Sequence, residues 1–537
     1  MRVIFVLFHL PLVVSATPFN GPFTHSSRSV NASSIQWKTC TIPMATSVPV
    51  ECGSLNVPLD YTEKNSSETL RLDLVRIPAV QSEKKGSILF NFGGPGADGV
   101  TDLGYYSEPL LASTGGYYDL INVVPRGTGY TFPFSCYDDA ATRSAFTQPI
   151  NGDSSDTALG TVWARSTIYD QNCVAQQNKT GSLIGTAFVV RDLFQVVDAL
   201  NEDGLLRYWG VSYGTILGAT AVAMFPDRVD KVIIDGVVNP HEYYNNKEVE
   251  LFTNSDDVFT GFCQGCVQNP DNCPLAQNYT AAELEANLRT LLKNLKYNPI
   301  PFVTPLIPGG GFVLDYSIVV SYIHRQLYFP FVWPSLAILL HDLATGDLAS
   351  LAALLLSSTT SDSATSSNTT SDWNPPNYDE ALYGIKCSDI LVDSTYEETA
   401  AVQTARYEKT IFGGVAAEMP ARCAQWPMRA KERYSGDFKV EPRNPVLIIG
   451  NTYDPVTPLV SARNVSAGFE GSVLLQQDSY GHDSLTQASL CTAKAVRSYF
   501  INGTLPAAGT VCPVNIPAFS GSDGWADVIK QLAEESS

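Results

Sequence analysis

The chain has 537 residues, 44% of them apolar and 10% aromatic, which is enough to bury the core of one large elaborated domain or of two domains. A formal net charge of −20, with no cluster of Lys or Arg, excludes nucleic acid, polyanionic ligands and anionic membrane surfaces as natural partners, because each needs a basic face. Disorder is excluded as the general state by the same apolar content.

The N-terminus has the pattern of a secretory signal peptide, residues 1–16. Arg2 precedes an apolar run of about 12 residues, Val3 to Val14, and the small residues Val14 and Ala16 predict cleavage after Ala16. A membrane anchor needs about 20 apolar residues. The later stretch from Leu336 to Leu356 is interrupted by His341, Asp342, Gly346 and Asp347. A secreted, or alternatively vacuolar, protein is expected. Seven Asn-x-Ser/Thr sequons, at Asn31, Asn65, Asn178, Asn278, Asn368, Asn464 and Asn502, fit that compartment as glycosylation sites.

Eleven cysteines in an oxidising compartment should be largely paired. Proximity along the chain predicts Cys40 with Cys52, Cys136 with Cys173, Cys387 with Cys423 and Cys491 with Cys512. The trio Cys263, Cys266 and Cys273 should hold one short bridge and one odd thiol. A zinc site there lacks a fourth ligand and a nearby His, so no metal and no cofactor is expected.

The core, residues 17–240, opens with strands around Leu70 to Ile77 and Ser87 to Phe92. The second runs into Gly93-Gly94-Pro95-Gly96. A further strand, Ile121 to Val124, leads into Pro125-Arg126-Gly127. The segment Thr186 to Leu200 has helical apolar spacing, and the apolar stretch ending at Trp209 leads into Gly210-Val211-Ser212-Tyr213-Gly214. An apolar helix and the strand Lys231 to Ile234 follow. Strand and helix alternating in this way predict a mostly parallel sheet with helices on both faces.

Residues 241–428 read as an inserted, mainly helical lid containing a disordered Ser/Thr-rich loop, 357–372. The sheet pattern returns in a second core part, 429–520, with strands Pro445 to Ile449 and Ser472 to Gln476. An acidic tail, 521–537, closes the chain.

Groups that act together gather at the carboxyl ends of parallel strands. Here those ends carry Ser212, Asp454 and His482. A serine hydroxyl needs a base to take its proton, and that base needs a carboxylate to fix its tautomer and stabilise its cation. A serine between glycines at minus two and plus two suits a strained strand-to-helix turn, and the order Ser, Asp, His is that of α/β-hydrolases. Of the six histidines, His9 and His25 lie in the leader region and His241, His324 and His341 in the lid, so only His482 follows a sheet strand. Asp478 and Asp483 are too close to His482 in sequence to approach its ring well. The amides of Tyr213 and Gly94 complete an expected oxyanion hole.

These residues resemble a known family. NFGGPGADG (Asn91 to Gly99), PRGTG (Pro125 to Gly129), YWGVSYGTILG (Tyr208 to Gly218), FPDRVDKVIIDGVVNP (Phe225 to Pro240), NTYDPVTPL (Asn451 to Leu459) and YGHDSL (Tyr480 to Leu485) are similar to secreted α/β-hydrolases of the prolyl and tripeptidyl aminopeptidase group. The run Cys491 to Cys512 resembles the end of tripeptidyl aminopeptidase-like proteins. The resemblance implies Ser212 as nucleophile, His482 as general base and acid, Asp454 as its orienter, and the Gly94 and Tyr213 amides as oxyanion donors. Two departures are visible: Val124 stands where the family usually has Asp, which should loosen the contact around Arg126, and Phe92 replaces Pro or His.

The expected activity is that of a serine exopeptidase releasing residues from peptide N-termini through an acyl-enzyme. Such an enzyme must hold an ammonium group, and Glu242, Glu248 and Glu250, with Asp256 and Asp257, are the lid carboxylates that could do so. The alternative is an esterase, lactonase or acyl transferase acting on a small non-peptide substrate. A non-catalytic binding protein is a third class, disfavoured by the intact Ser, Asp and His. A lid with carboxylates facing Ser212 would favour the peptidase; an all-apolar pocket would favour the esterase.

Overall fold

A computed structural model describes residues 35–535 except 41–43, 45, 140, 141, 144, 145, 147, 304–309 and 348–377. The expected leader 1–16, the sequons Asn31 and Asn368 and the Ser/Thr run 357–372 lie outside the described residues.

Ten strands form one sheet: β1 (Lys38–Thr39), β2 (Glu51–Pro58), β3 (Thr69–Ile77), β4 (Gly86–Asn91), β5 (Tyr118–Val123), β6 (Leu206–Val211), β7 (Val229–Asp235), β10 (Leu447–Tyr453), β11 (Val473–Tyr480) and β12 (Val511–Pro513). Their order is β1-β2-β3-β5-β4-β6-β7-β10-β11-β12. The first four neighbours pair antiparallel, and every pair from β5 to β12 is parallel. This is the α/β-hydrolase fold, a mostly parallel sheet with helices.

Burial follows from that order. The central strands β5 and β6 are buried at every residue because helices cover both faces, so their sequences run apolar without alternation. By contrast β3, near the antiparallel edge, alternates between exposed and buried along its first half. Strands β1 and β12 at the edges, and β2 beside β1, were not evident in the sequence, since they are short or carry turn-like residues such as Gly53 and Pro513.

Where described, the segment 241–428 that the sequence suggested as a lid is mainly helical and includes a small antiparallel hairpin, β8 (Ile300–Val303) with β9 (Gly311–Leu314). It has two parts with different allegiances. Phe252, Phe259, Phe262, Leu288, Ile323 and Trp333 belong to a core of their own, joined by Phe519 from the C-terminal region. Ile385, Cys387, Cys423 and Trp426 instead pack into the core beneath the sheet, with Val190, Tyr213 and Ile216.

The C-terminal segment expected as an acidic tail is ordered into the helix Trp525–Glu534. Trp525, Val528 and Leu532 fall on one face and are buried, and the Trp525 indole N–H donates to the Leu485 carbonyl at 2.7 Å. Acidic residues on the opposite face obscured that stripe in the sequence.

The cysteines form Cys40–Cys52, Cys136–Cys173, Cys266–Cys273, Cys387–Cys423 and Cys491–Cys512, leaving Cys263 as a buried thiol. Among the described residues no single helix is long and apolar enough to cross a membrane. Arg126 is not loosened by Val124. Its guanidinium is fully buried, meets both Asp192 oxygens at 2.7 Å, and donates to the carbonyls of Pro58, Leu59 and Leu183.

Candidate active site

Ser212 stands between β6 and the helix Tyr213–Met224 with φ 58° and ψ −124°, a conformation L-residues avoid and tight packing must enforce. The glycines on either side permit it. A Cβ on Gly210 would lie 2.1 Å from the Gly214 carbonyl oxygen, and one on Gly214 would lie 2.2 Å from the Asn91 oxygen. Strand β4, the elbow and its helix can therefore approach this closely only with hydrogen at both positions.

Asp454 follows β10 and His482 follows β11. The His482 Nδ1 lies 3.1 Å from Asp454 Oδ2 and 3.4 Å from Oδ1. Thr457 adds its hydroxyl, 2.6 Å from Asp454 Oδ2 and 3.0 Å from His482 Nδ1, and the amides of Val456, Thr457 and Asp483 also donate to the carboxylate. Asp454 is wholly buried. Burial alone would raise its pKa, but the attraction of His482 and the hydrogen bonds from His482 and Thr457 outweigh it and hold the carboxyl below its usual value. Asp483 does not take this position: its side chain accepts the Leu485 amide, and burial beside Asp235 and Asp454 pushes its pKa well up.

Tyr328 packs against this pair. The His482 amide donates to the Tyr328 carbonyl at 2.8 Å, and the Tyr328 ring lies 5.0 Å from the imidazole. Behind it, His324 Nε2 is 3.2 Å from the Pro455 carbonyl, so the residue following Asp454 is tied to the cap. Burial drops the His324 pKa to about 4, which leaves the ring neutral.

A cavity of about 120 Å³ opens at the elbow. Gly94, Pro95, Ser212, Tyr213 and Thr457 line it from the sheet domain; Tyr243, Glu248, Phe252, Lys386, Arg406 and Met419 line it from the insertion. Both expected oxyanion residues and Ser212 thus share one cavity wall. Phe92 stacks on Phe90 and Tyr106 instead of lining this space.

Of the three candidate carboxylates, Glu248 reaches the cavity. Glu242 and Glu250 do not line it: Glu242 accepts the Glu250 amide, and Glu250 accepts from Asn239, Ser461 and Asn464, stitching the insertion to the sheet domain. Asp256 accepts from Thr410 and Asp257 from Asn254. Glu248 in turn meets Lys386 at 2.7 Å and Arg406 at 3.8 Å.

Sequence reasoning missed Thr457, Lys386 and Arg406. Thr457 lies three residues after Asp454, the spacing at which a carboxylate captures a following hydroxyl and amide. Lys386 and Arg406 are lone cations on helices that also carry acidic residues, and no local pattern indicated that they were buried. Among the described residues no cluster of His, Cys, Asp and Glu could hold a metal ion.

Residues 408–512, which include Asp454 and His482, match the family described as TAP-like protein. Tripeptidyl aminopeptidase from Streptomyces lividans is 26% identical over 493 residues, covering 89% of this chain and 86% of the relative. Serine protease Hip1 from Mycobacterium tuberculosis is 27% identical over 474 residues, 86% of this chain and 87% of that one. Carboxylesterase B, also from Mycobacterium tuberculosis, is 26% identical over 515 residues, 94% of each chain. The chain is a serine hydrolase of the α/β-hydrolase fold with a TAP-like segment, similar over most of its length to tripeptidyl aminopeptidase and Hip1 serine protease.

Proposed function

We propose that this protein is a secreted serine exopeptidase that releases residues from peptide N-termini through an acyl-enzyme. The observation that carries the reading is the shared wall of Ser212 and Glu248 around one cavity, a nucleophile position and a buried carboxylate facing the same space. An ionised carboxylate offers about four acceptor sites. Lys386 and the distant Arg406 leave part of that capacity for a substrate ammonium.

In this reading the Ser212 hydroxyl attacks the scissile carbonyl while His482 takes its proton, and Asp454 stabilises the imidazolium through Nδ1. The negative charge on the carbonyl oxygen falls to the amides of Gly94 and Tyr213. Collapse expels the amine, protonated by His482, and leaves an ester on Ser212. Water, deprotonated by His482, then frees the N-terminal product and restores the serine.

Secretion and glycosylation belong to the same proposal. Five disulfides suit an oxidising compartment. The five described sequons, Asn65, Asn178, Asn278, Asn464 and Asn502, are all exposed, as a glycan requires. We also assign residues 241–428 as the substrate-covering insertion.

A panel of aminoacyl and tripeptidyl p-nitroanilides with free and acetylated amino termini tests the activity. Free termini should be cleaved and acetylated ones rejected, and Glu248→Gln should erode that difference. Cleavage of p-nitrophenyl esters with no anilide hydrolysed would replace this reading with an esterase, the activity named by one relative.

A further inference from the structure

The cavity at Ser212 carries more charge than recognition of an ammonium needs. Glu248, Lys386 and Arg406 all line it, and all three are buried. Lys386 is satisfied: its ammonium donates to Glu248 Oε1 at 2.7 Å and to the Tyr243 carbonyl at 2.9 Å, and lies 3.5 Å from the centre of the Tyr243 ring.

Arg406 is not. Its side chain is 1% exposed, yet among the described residues its one hydrogen bond is a 3.4 Å contact from Nη2 to the Lys247 carbonyl, with the Phe252 ring centre 5.3 Å from the guanidinium. Glu248 is drawn to Lys386 and comes no nearer to Nη2 than 3.8 Å, and the Nε–H has no acceptor among the described residues. Glu242, the other nearby carboxylate, accepts the Glu250 amide and forms no ion pair with Arg406 among the described residues. A guanidinium presents five donors in a planar fork shaped for a carboxylate, and burying one without an acceptor is costly. Burial accordingly depresses the Arg406 pKa against the pull of Glu248 and Glu242. The wall around it is held in conformations L-residues avoid, with φ +39° at Glu248 and +54° at Ala416. Strain persists where surrounding structure imposes it, and it concentrates at ligand sites.

We infer that Arg406 forms a carboxylate subsite, and that the group transferred to Ser212 carries an acidic side chain that forks onto its guanidinium. This rests on the exopeptidase reading. The acyl side is assigned because the leaving peptide has no fixed length and must run out to solvent, whereas a cavity of about 120 Å³ holds only a small group. For scale, a cavity of about 150 Å³ admits benzene. An aspartyl or glutamyl residue brings an ammonium for Glu248 and a carboxylate for Arg406, so the charges remain paired when water is displaced.

The test is the ratio of kcat/KM for Asp- and Glu-p-nitroanilide to that for the Asn and Gln isosteres, read within each protein so that general losses cancel. Wild type should prefer the acids by about tenfold or more, and Arg406→Met should bring the ratio near one. A wild-type ratio near one, or a ratio that survives the substitution, overturns the inference. A second measurement uses wild type alone: glutarate should slow fluorophosphonate labelling more than glutaramide does, and equal protection overturns the inference even if the variant does not fold. If no anilide is cleaved, the exopeptidase reading fails separately. The ratio is then taken between the p-nitrophenyl esters of glutaric acid and of its monoamide, where a preference keeps the subsite and equality removes it.

Discussion

The Thr457 hydroxyl donates to Asp454 Oδ2 at 2.6 Å while lying 3.0 Å from His482 Nδ1. One side chain thereby touches both members of the carboxylate–imidazole pair and also lines the cavity that contains Ser212. It fixes the Asp454 carboxylate in the orientation that faces the ring, and it helps to keep that carboxylate ionised.

Thr457→Val removes a hydrogen bond to a charged group, worth about 1.5–3 kcal/mol, without changing side-chain size. The expected result is a fall in kcat of about tenfold with KM little changed. The pKa of Asp454, held low in the folded protein, should rise. Its ionised form contributes stability above the ordinary carboxylate pKa and loses it as pH falls through the folded value, so the acid limb of the variant's stability profile should move to higher pH. Thr457→Ser should restore both. An unchanged kcat and profile in Thr457→Val would show that the hydroxyl plays no part.

Asp170 predicts an unusual stability profile. It is 1% exposed, neither carboxylate oxygen has a hydrogen-bond partner among the described residues, and burial pushes its pKa up to about 8 against the attraction of Arg422 and Arg429. The unfolded chain ionises this group near 3.9 and the folded chain near 8, so its penalty grows as pH rises between those values and then levels off. Asn imitates the neutral carboxyl. The stability gained by Asp170→Asn should therefore be larger at pH 8 than at pH 5 by about 4 kcal/mol, measured by denaturant unfolding. An equal effect at both pH values would contradict this.

Cys263 is wholly buried, and burial raises its thiol pKa. The folded protein should resist iodoacetamide, and the protein unfolded without reductant should take up one equivalent. Mass spectrometry counts the adducts. Three or more would mean that one of the five disulfides does not form.

The strands that carry the site were legible because each is an apolar run closed by a turn residue, as in Pro445 to Ile449 before Asp454. The pairing of Cys136 with Cys173 and of Cys387 with Cys423 also followed from proximity along the chain, their separations being 37 and 36 residues. The charged lining was not legible. Glu242, Glu248 and Glu250 look alike in sequence, and only packing against Lys386 turns Glu248 toward the cavity while Ser461 and Asn464 take Glu250. Such choices depend on residues more than a hundred positions away. The helix at Trp525 was hidden differently, its three buried residues being spaced among acidic neighbours.

Covalent labelling of Ser212 tests the central claim most directly. Wild type treated with a fluorophosphonate, digested and mapped should carry one adduct on Ser212 and lose turnover in step with labelling. Ser212→Ala should neither label nor turn over substrate above the small residue left by the oxyanion site and binding. An adduct elsewhere with Ser212 unmodified, or substantial turnover by Ser212→Ala, would contradict the account.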